Sequence, residues 1–594
     1  MMDTQAAMTL LLASRFFENG AMDLAESHCR QALAAAPTHH GARLLLAAIQ
    51  KGGNKFEDSR HTLRGLLRTA PQDTEVLDAL GKVSRAMGEY RDAEDYFRRV
   101  AELTPNQPDV LGSLGREARR RHAYREAEDY FRRAVAADPD CLPAWRRLGA
   151  TLEDMGRIEE AVEVYRRALD YRPDDVSLRT ALLNLANLLP DTTPEIIATQ
   201  RRDFGAKLDR EDSPAKSLGR DPSRRLRVGY MSGNFALGDI GFFIAPVLAN
   251  HDAAGFEVYC YDNGAQDDDL TWRLRDSVSR WRIIRNLDDD QLAHMIHEDR
   301  IDILIDLSGF RERGRLPFLA QRRAPLQIAW MGAEGSTGLS AMDAYISDGT
   351  GVKPGEDAAF REKVVRLPHG FLCYGPPPYA PLVQPPPSWA RGHVTFGCFS
   401  GLARLNENVM RLWARLLDET AQSRLLLRDV ALADRSVVED VTVRFAACGL
   451  PPAKLDLKAM PPHPELMEAY NEIDIALDPF PGSDSLRTCE ALWMGVPVVT
   501  LPGATIASRH AASHLSAVGL DEWIAPDEAA YVAIPDQALR QPGALSTLRR
   551  ELRARVTASP LCDAALFTRN LEMALRTLWR DKCLSEPVAE GEGD

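Results

Sequence analysis

Prolines at positions 37, 71, 105, 139 and 173 stand 34 residues apart, and this period constrains the chain's first third more than any other feature. Three further series keep phase with it. Ala25, Ser59, Ala93, Ala127 and Ala161 are small. Cys29, Leu63, Phe97, Phe131 and Tyr165 are mostly larger, and Gly81, Gly115 and Gly149 recur at the same interval. Small residues let two helices approach closely, the large residue fills the space between neighbouring units, and proline marks the turn after the second helix. A single helix pair of this kind cannot bury its own apolar face, so the pattern requires stacking.

A 34-residue helix–turn–helix unit is the tetratricopeptide signature. It predicts an α-solenoid over residues 1–189, about five repeats closed by a capping helix from Val176 to Leu189. The first two units are less regular, with Ala13 and Ala47 where later ones carry glycine, as terminal units often are. A stack of this type curves into an extended concave surface. Binding of a protein segment is the expected use, a plain structural spacer the alternative.

The chain has 594 residues, too many for one hydrophobic core. Its net charge of −14 leaves no general excess of Lys and Arg for phosphate neutralisation and argues against a nucleic-acid protein. The nine cysteines are scattered with no C-x-x-C pair, which fits free thiols in a reducing cytoplasm. The N-terminal stretch lacks a basic segment before its short apolar run and does not read as a signal peptide. No stretch approaches the ~20 apolar residues of a membrane helix. The expectation is a soluble intracellular protein.

Beyond a connecting segment at 190–225 the texture changes. Leu226–Tyr230, Phe256–Tyr261, Ile301–Leu307 and Leu326–Trp330 read as strands, each followed by a loop of small residues. This predicts a Rossmann-like domain over 226–374. A Pro-rich stretch at 375–390 then crosses to a second such domain at 391–580, before an acidic tail at 581–594. In the second domain Val394–Phe399, Ser423–Leu427 and Ile475–Leu477 read as strands. Two Rossmann-like domains joined in this way form the GT-B arrangement, which holds a nucleotide-linked substrate in the cleft between them.

Residues 474–515, DIALDPFPGSDSLRTCEALWMGVPVVTLPGATIASRHAASHL, read as strand–loop–helix–strand–loop–helix. Both loops run straight into a helix, and free backbone N–H groups at a helix start suit a phosphate. An ordinary βαβ unit with nothing bound is the other reading of these residues.

Several longer motifs carry a family resemblance: RVGYMSGNF (227–235), FEVYCY (256–261), DILIDLSGF (302–310), RRAPLQIAWMGAEGSTG (322–338), MDAYISD (342–348), RLPHGF (366–371), DIALDPFPG (474–482), EALWMGVPVVTLPG (490–503) and ASRHAASHL (507–515). With the repeats, they resemble the O-linked N-acetylglucosamine transferase family, which includes the plant SPINDLY proteins. The resemblance covers nearly the whole chain. It implies an inverting, metal-independent transfer of a sugar from a nucleotide donor to a Ser or Thr hydroxyl of a protein, with no cofactor.

The departures fall on the donor pocket. Gly238 stands where the family has a His. Gly401 and Arg404 stand where its donor loop carries Gln and Lys, and His463 replaces another Lys. The family's Asn-Gly-His-Thr-Thr run falls on Ser483 to Arg487, while Glu490 keeps the acidic type of its counterpart. Arg404, Ser483, Ser485, Arg487 and Thr488 are the expected phosphate partners. Glu490 is expected at the ribose, Gly401, His463, Ser508 and His510 at the donor, and Asp239 as the base for the acceptor hydroxyl. Arg404 and Arg487 would also suit an acidic sugar whose carboxylate takes a planar partner. The resemblance thus leads to a protein O-glycosyltransferase whose acceptor is flagellin and whose donor is a CMP-nonulosonic acid or UDP-N-acetylglucosamine. The competing reading is a catalytically inactive scaffold or chaperone.

Overall fold

The computed structural model describes residues 4–209, 221–265 and 267–585. The expected acidic tail lies mostly outside these residues. The described chain divides into two compact units, residues 1–152 with 170–173, and residues 153–169 with 174–594.

The first unit is the repeat array. Its helix pairs are Thr4–Glu18 with Met22–Ala35, His40–Gly52 with Phe56–Thr69, Thr74–Ala86 with Tyr90–Leu103, and Pro108–Arg120 with Tyr124–Ala137, followed by Leu142–Asp154. The in-phase residues are where the period demands. Ala25, Ser59, Ala93 and Ala127 are completely buried, as are Cys29, Leu63, Phe97 and Phe131. The glycines have a steric cause: a Cβ on Gly81 would sit 2.5 Å from the Phe97 ring, and one on Gly115 2.6 Å from Phe131. Each proline follows the end of a second helix by two residues.

The second unit opens with helix Ile158–Tyr171 of the last repeat and the expected capping helix, which runs Val176–Leu185. Gly156 (φ +71°) abuts the Leu402 backbone, so within this unit the turn before helix Ile158–Tyr171 packs on the second α/β domain. The 190–225 segment is more than a connection. Thr193 caps helix Pro194–Leu208, which packs Gly205 directly against the Gly338 backbone. From this helix Arg201, fully buried, donates to the Ser336 carbonyl at 3.0 Å and lies 4.7 Å over the Phe310 ring.

Seven parallel strands build the first sheet: β1 Leu226–Ser232, β2 Phe256–Asp262, β3 Arg280–Ile283, β4 Ile303–Asp306, β5 Leu326–Ala329, β6 Ala344–Ser347 and β7 Lys363–Arg366, in the order β3-β2-β1-β4-β5-β6-β7. The second sheet holds β8 Val394–Cys398, β9 Ser423–Asp429, β10 Leu455–Ala459, β11 Ile475–Leu477 and β12 Val498–Val499, in the order β10-β9-β8-β11-β12, again all parallel. Both orders reverse beside their first strand, between β1 and β4 and between β8 and β11. Ligands of doubly wound sheets bind in the crevice beyond the carboxyl ends of the strands at that point.

The last helix, Ala564–Ser585, returns to the first α/β domain. Phe567 stacks on Trp330, Glu572 accepts from His251 Nδ1 at 2.9 Å, and Arg576 donates to the Gly255 carbonyl at 2.7 Å. A domain boundary at 580 therefore cuts through this helix, which follows the second domain in sequence and packs on the first.

Candidate functional site

The loops leaving β1, β4, β5, β7, β8, β11 and β12 meet around a cavity of about 30 Å³. Four of the expected residues line it: Asp239, Arg404, Ser485 and His510. Three charged residues not expected there join them, Arg311, Glu334 and Asp484.

Arg404 ends a short turn after β8. Its Nη1 donates to the Ser483 carbonyl at 2.9 Å, and its Nε lies 3.7 Å from the Asp484 carboxylate. It thereby clasps the loop that starts helix Ser485–Trp493. Asp484 caps that helix, accepting from the Arg487 amide at 3.2 Å. Asp478, at the end of β11, fixes the same loop by accepting from the Asp484 amide at 3.1 Å and from Thr500 Oγ1 at 2.8 Å; burial pushes its carboxyl up to about 7. Ser485 Oγ is buried and has no hydrogen-bond partner. A hydroxyl left unsatisfied at a helix start is suited to an incoming anionic oxygen.

On the facing wall Arg311 pairs with Asp239 and, at 3.3 Å, with Glu334. Glu334 also accepts from Asn187 at 3.3 Å, a residue of the segment that follows the repeats. Burial alone would raise the Asp239 carboxyl, but the Arg311 guanidinium overrides this by charge and hydrogen bond and holds it below the ordinary carboxylate range. Asp239 also accepts from the Ile240 amide at 2.8 Å at the start of its own helix, Asp239–Leu248. This differs from the expected catalytic base: a carboxylate committed to a cation and a helix start gives up proton affinity.

His510 lines the same cavity. It opens helix His510–Val518, is 5% exposed, and its Nε2 is buried without a partner. Burial lowers its pKa, Arg404 and Arg311 reinforce this, and Glu334 opposes it. The ring is therefore neutral near pH 7 and, in the Nδ1–H tautomer, presents a lone pair at Nε2.

The remaining expected residues lie apart from the cavity. Glu490 is completely enclosed. It accepts from Arg487 at 2.6 Å and Tyr470 at 3.0 Å and bonds His463 Nε2 at 2.7 Å. The charge of Arg487 is thus spent on Glu490. His463 is held on its other side by the Tyr379 hydroxyl at 2.7 Å and stacks on Phe242, with ring centroids 5.0 Å apart. Ser508 donates to the Thr505 carbonyl at 2.6 Å and accepts from the Gly503 amide at 2.9 Å, which makes it a turn residue. Ser483 Oγ accepts from the Ala511 amide at 2.9 Å and joins the two halves of the 474–515 stretch. Thr488 is buried, and Gly401 stands beside Asp429.

Two doubly wound domains with their switch-point loops on one polar cleft define a GT-B-type architecture. Residues 213–375 and 389–571 match the glycosyl transferase family 41 model, and residues 16–83, 76–111 and 118–185 match tetratricopeptide repeat models. The chain belongs to glycosyl transferase family 41. It is 36% identical over 418 residues to a probable UDP-N-acetylglucosamine–peptide N-acetylglucosaminyltransferase SPINDLY of Petunia hybrida, covering 69% of this chain and 45% of that protein. A probable enzyme of the same description named SEC, from Arabidopsis thaliana, is 29% identical over 382 residues, covering 61% of this chain and 38% of that protein. The chain thus spans about half the length, or less, of the curated relatives it matches. A mutant of the Thermobaculum terrenum O-GlcNAc transferase superposes with a TM-score of 0.81 at 34% identity, covering 86% of this chain and 98% of that one.

Proposed function

We propose that this chain is a protein O-glycosyltransferase that moves a sugar from a nucleotide-sugar donor, bound beside Arg404, Ser485 and His510, to Ser or Thr hydroxyls of an acceptor held by the repeats. The observation that carries the reading is the convergence on one cavity of Arg404 and Ser485 from the β8/β11 switch point, His510 from the loop after β12, and Asp239 and Arg311 from the β1/β4 switch point. Arg404 and the start of helix Ser485–Trp493 receive the leaving phosphates as charge develops on them. The acceptor hydroxyl attacks the anomeric carbon from the opposite side and inverts it, and its proton passes to His510 Nε2. Arg404, Ser485 and the helix dipole neutralise the leaving group without a metal ion.

The donor is an acidic sugar on CMP, with UDP-N-acetylglucosamine the alternative. Arg487 loses weight in that argument because Glu490 neutralises it, and Arg311 gains weight. Arg311 faces the cavity, and an acidic sugar would compete with Asp239 and Glu334 for its fork. Flagellin, glycosylated in the cytoplasm, is the acceptor. The test is transfer to purified flagellin from a panel of UDP- and CMP-sugars, read by intact mass. Transfer only from UDP-N-acetylglucosamine would eliminate the acidic donor.

One observation favours a second reading, a scaffold that binds a partner without catalysis. A cavity of about 30 Å³ holds little more than a water molecule, and a nucleotide needs several hundred Å³. Catalysis requires the Asp239–Arg311–Glu334 wall to give way. Calorimetry with CMP and UDP separates the two readings: heat of binding to either supports the transferase, and none to both supports the scaffold.

A further inference from the structure

The first helices of the repeats carry a strip of cations that the cleft chemistry does not use. Lys51 lies on helix His40–Gly52, Lys82 and Arg85 on Thr74–Ala86, Arg116 on Pro108–Arg120, and Arg147 on Leu142–Asp154. They share one face. Lys51 feels the charges of Lys82, Arg85 and Arg116, and Arg116 those of Arg85 and Arg147. Burial, and for most of them these like-charged neighbours, lower the pKa of Lys51, Arg85, Arg116 and Arg147, that of Arg116 to about 10.

Only part of this charge is answered. Lys82 pairs with Asp78 at 2.5 Å, one helical turn away. Glu117 lies 3.1 Å from Arg120 and 4.0 Å from Arg85. Arg85 Nη1 and Arg116 Nε are buried without a hydrogen-bond partner. The period explains why Arg116 is left over. Lys82 and Arg116 are equivalent positions, 34 residues apart, and so are Asp78 and Gly112. The acid that neutralises the cation in one repeat is a glycine in the next. Packing does not demand that glycine, because a Cβ on Gly112 would meet no atom within 4 Å.

We infer that this strip is a docking surface for an extended, acidic polypeptide segment. The segment is assigned to the acceptor protein on the strength of the transferase reading above. Packed helices stand about 10 Å apart and an extended chain advances about 3.3 Å per residue, so an acid at roughly every third position meets successive rungs. An overall charge of −14 leaves this strip as a local exception, which favours a short acidic peptide over a nucleic acid.

Fluorescence anisotropy on the full chain tests this with a labelled Glu-Gly-Ser repeat peptide, its Gln-Gly-Ser counterpart and a single-stranded RNA of equal length. The glutamate peptide should bind, and the glutamine peptide should not. Raising NaCl from about 0.05 M to about 0.5 M should weaken binding at least tenfold. Arg85→Gln/Arg116→Gln should also weaken it about tenfold or more. Gly112→Asp, which restores the missing acid without touching either arginine, should weaken it in the same direction while leaving the melting temperature equal or higher. Absence of glutamate-peptide binding, equal binding by the variants, or tighter binding of the RNA overturns the inference. Peptide binding that behaves as expected, with no sugar transfer from any donor, supports the docking surface and refutes the transferase reading.

Discussion

Removing the Arg404 side chain separates a structural arginine from one that meets developing charge. In the ligand-free protein Arg404 makes one hydrogen bond to a neutral carbonyl at 2.9 Å and a looser approach to Asp484 at 3.7 Å, with 23% of the side chain exposed. One such bond contributes about 1 kcal/mol, and a partly exposed ion pair contributes ~0–1 kcal/mol. Arg404→Ala should therefore cost ~1–2 kcal/mol of stability. Loss of a preorganised donor to a developing anion costs about 10²–10³ in turnover. Arg404→Lys keeps the charge but not the fork, and should retain more turnover than Arg404→Ala. The assay is initial-rate transfer to saturating acceptor, with thermal denaturation and acceptor binding measured on the same preparations. Acceptor binding should not change, because the repeats carry it. Turnover of Arg404→Ala within about threefold of the parent would refute the assignment, and so would a rate loss that merely tracks unfolding.

His510→Gln should lower turnover ~10²–10⁴-fold with little change in donor affinity by calorimetry. Because burial depresses the His510 pKa, the unprotonated base persists as pH falls, so the acid limb of the parent's rate profile should lie below the ordinary imidazole value of about 6.5. Glu490→Ala leaves His463 and Arg487 without their shared acid and should cost ~3–5 kcal/mol in denaturant unfolding. The Glu490 carboxyl is raised by burial but pulled lower still by Arg487 and His463, a net lowering. Its contribution is thus present above the unfolded-state value near 4.3 and lost as pH falls through the folded-state value. In Glu490→Gln this acid-side loss should be smaller. Gly81→Ala drives a methyl to 2.5 Å from Phe97 and should cost ~1–3 kcal/mol by urea unfolding, with relief in Gly81→Ala/Phe97→Leu.

The repeat array was legible in the sequence because a fixed period imposes burial and spacing together, down to the Gly81–Phe97 contact. Most central strands were legible as apolar runs, but β6, which lies inside the MDAYISD motif, was not read as one. The edge strands β3 (RWRI) and β10 (LDLKA) were not: their residues are half-exposed and charged, so no such run marks them. The 496–501 run reads as a longer strand than the two-residue β12 it contains. Arg404, Ser485 and His510 could be placed because they flank loops at strand ends. Arg311, Glu334 and Asp484 were missed because a charge in a loop reads as solvated until its partner comes from another strand. Glu334 does fall within the GAEGSTG loop, where its left-handed backbone (φ 49°) is a structural mark with no sequence signal. Nothing local announces that helix Ala564–Ser585 returns to the first sheet, because its partners Trp330, His251 and Gly255 lie more than 200 residues away.

The central claim is that the cleft containing Arg404 performs the transfer itself. The most direct measurement is the intact mass of flagellin from cells carrying either the parent gene or its Arg404→Ala form, at matched levels of the protein. Flagellin from the first cells should carry a sugar increment, and flagellin from the second should be unmodified. The same increment in both would contradict the claim and leave a protein that recruits the acceptor for another enzyme.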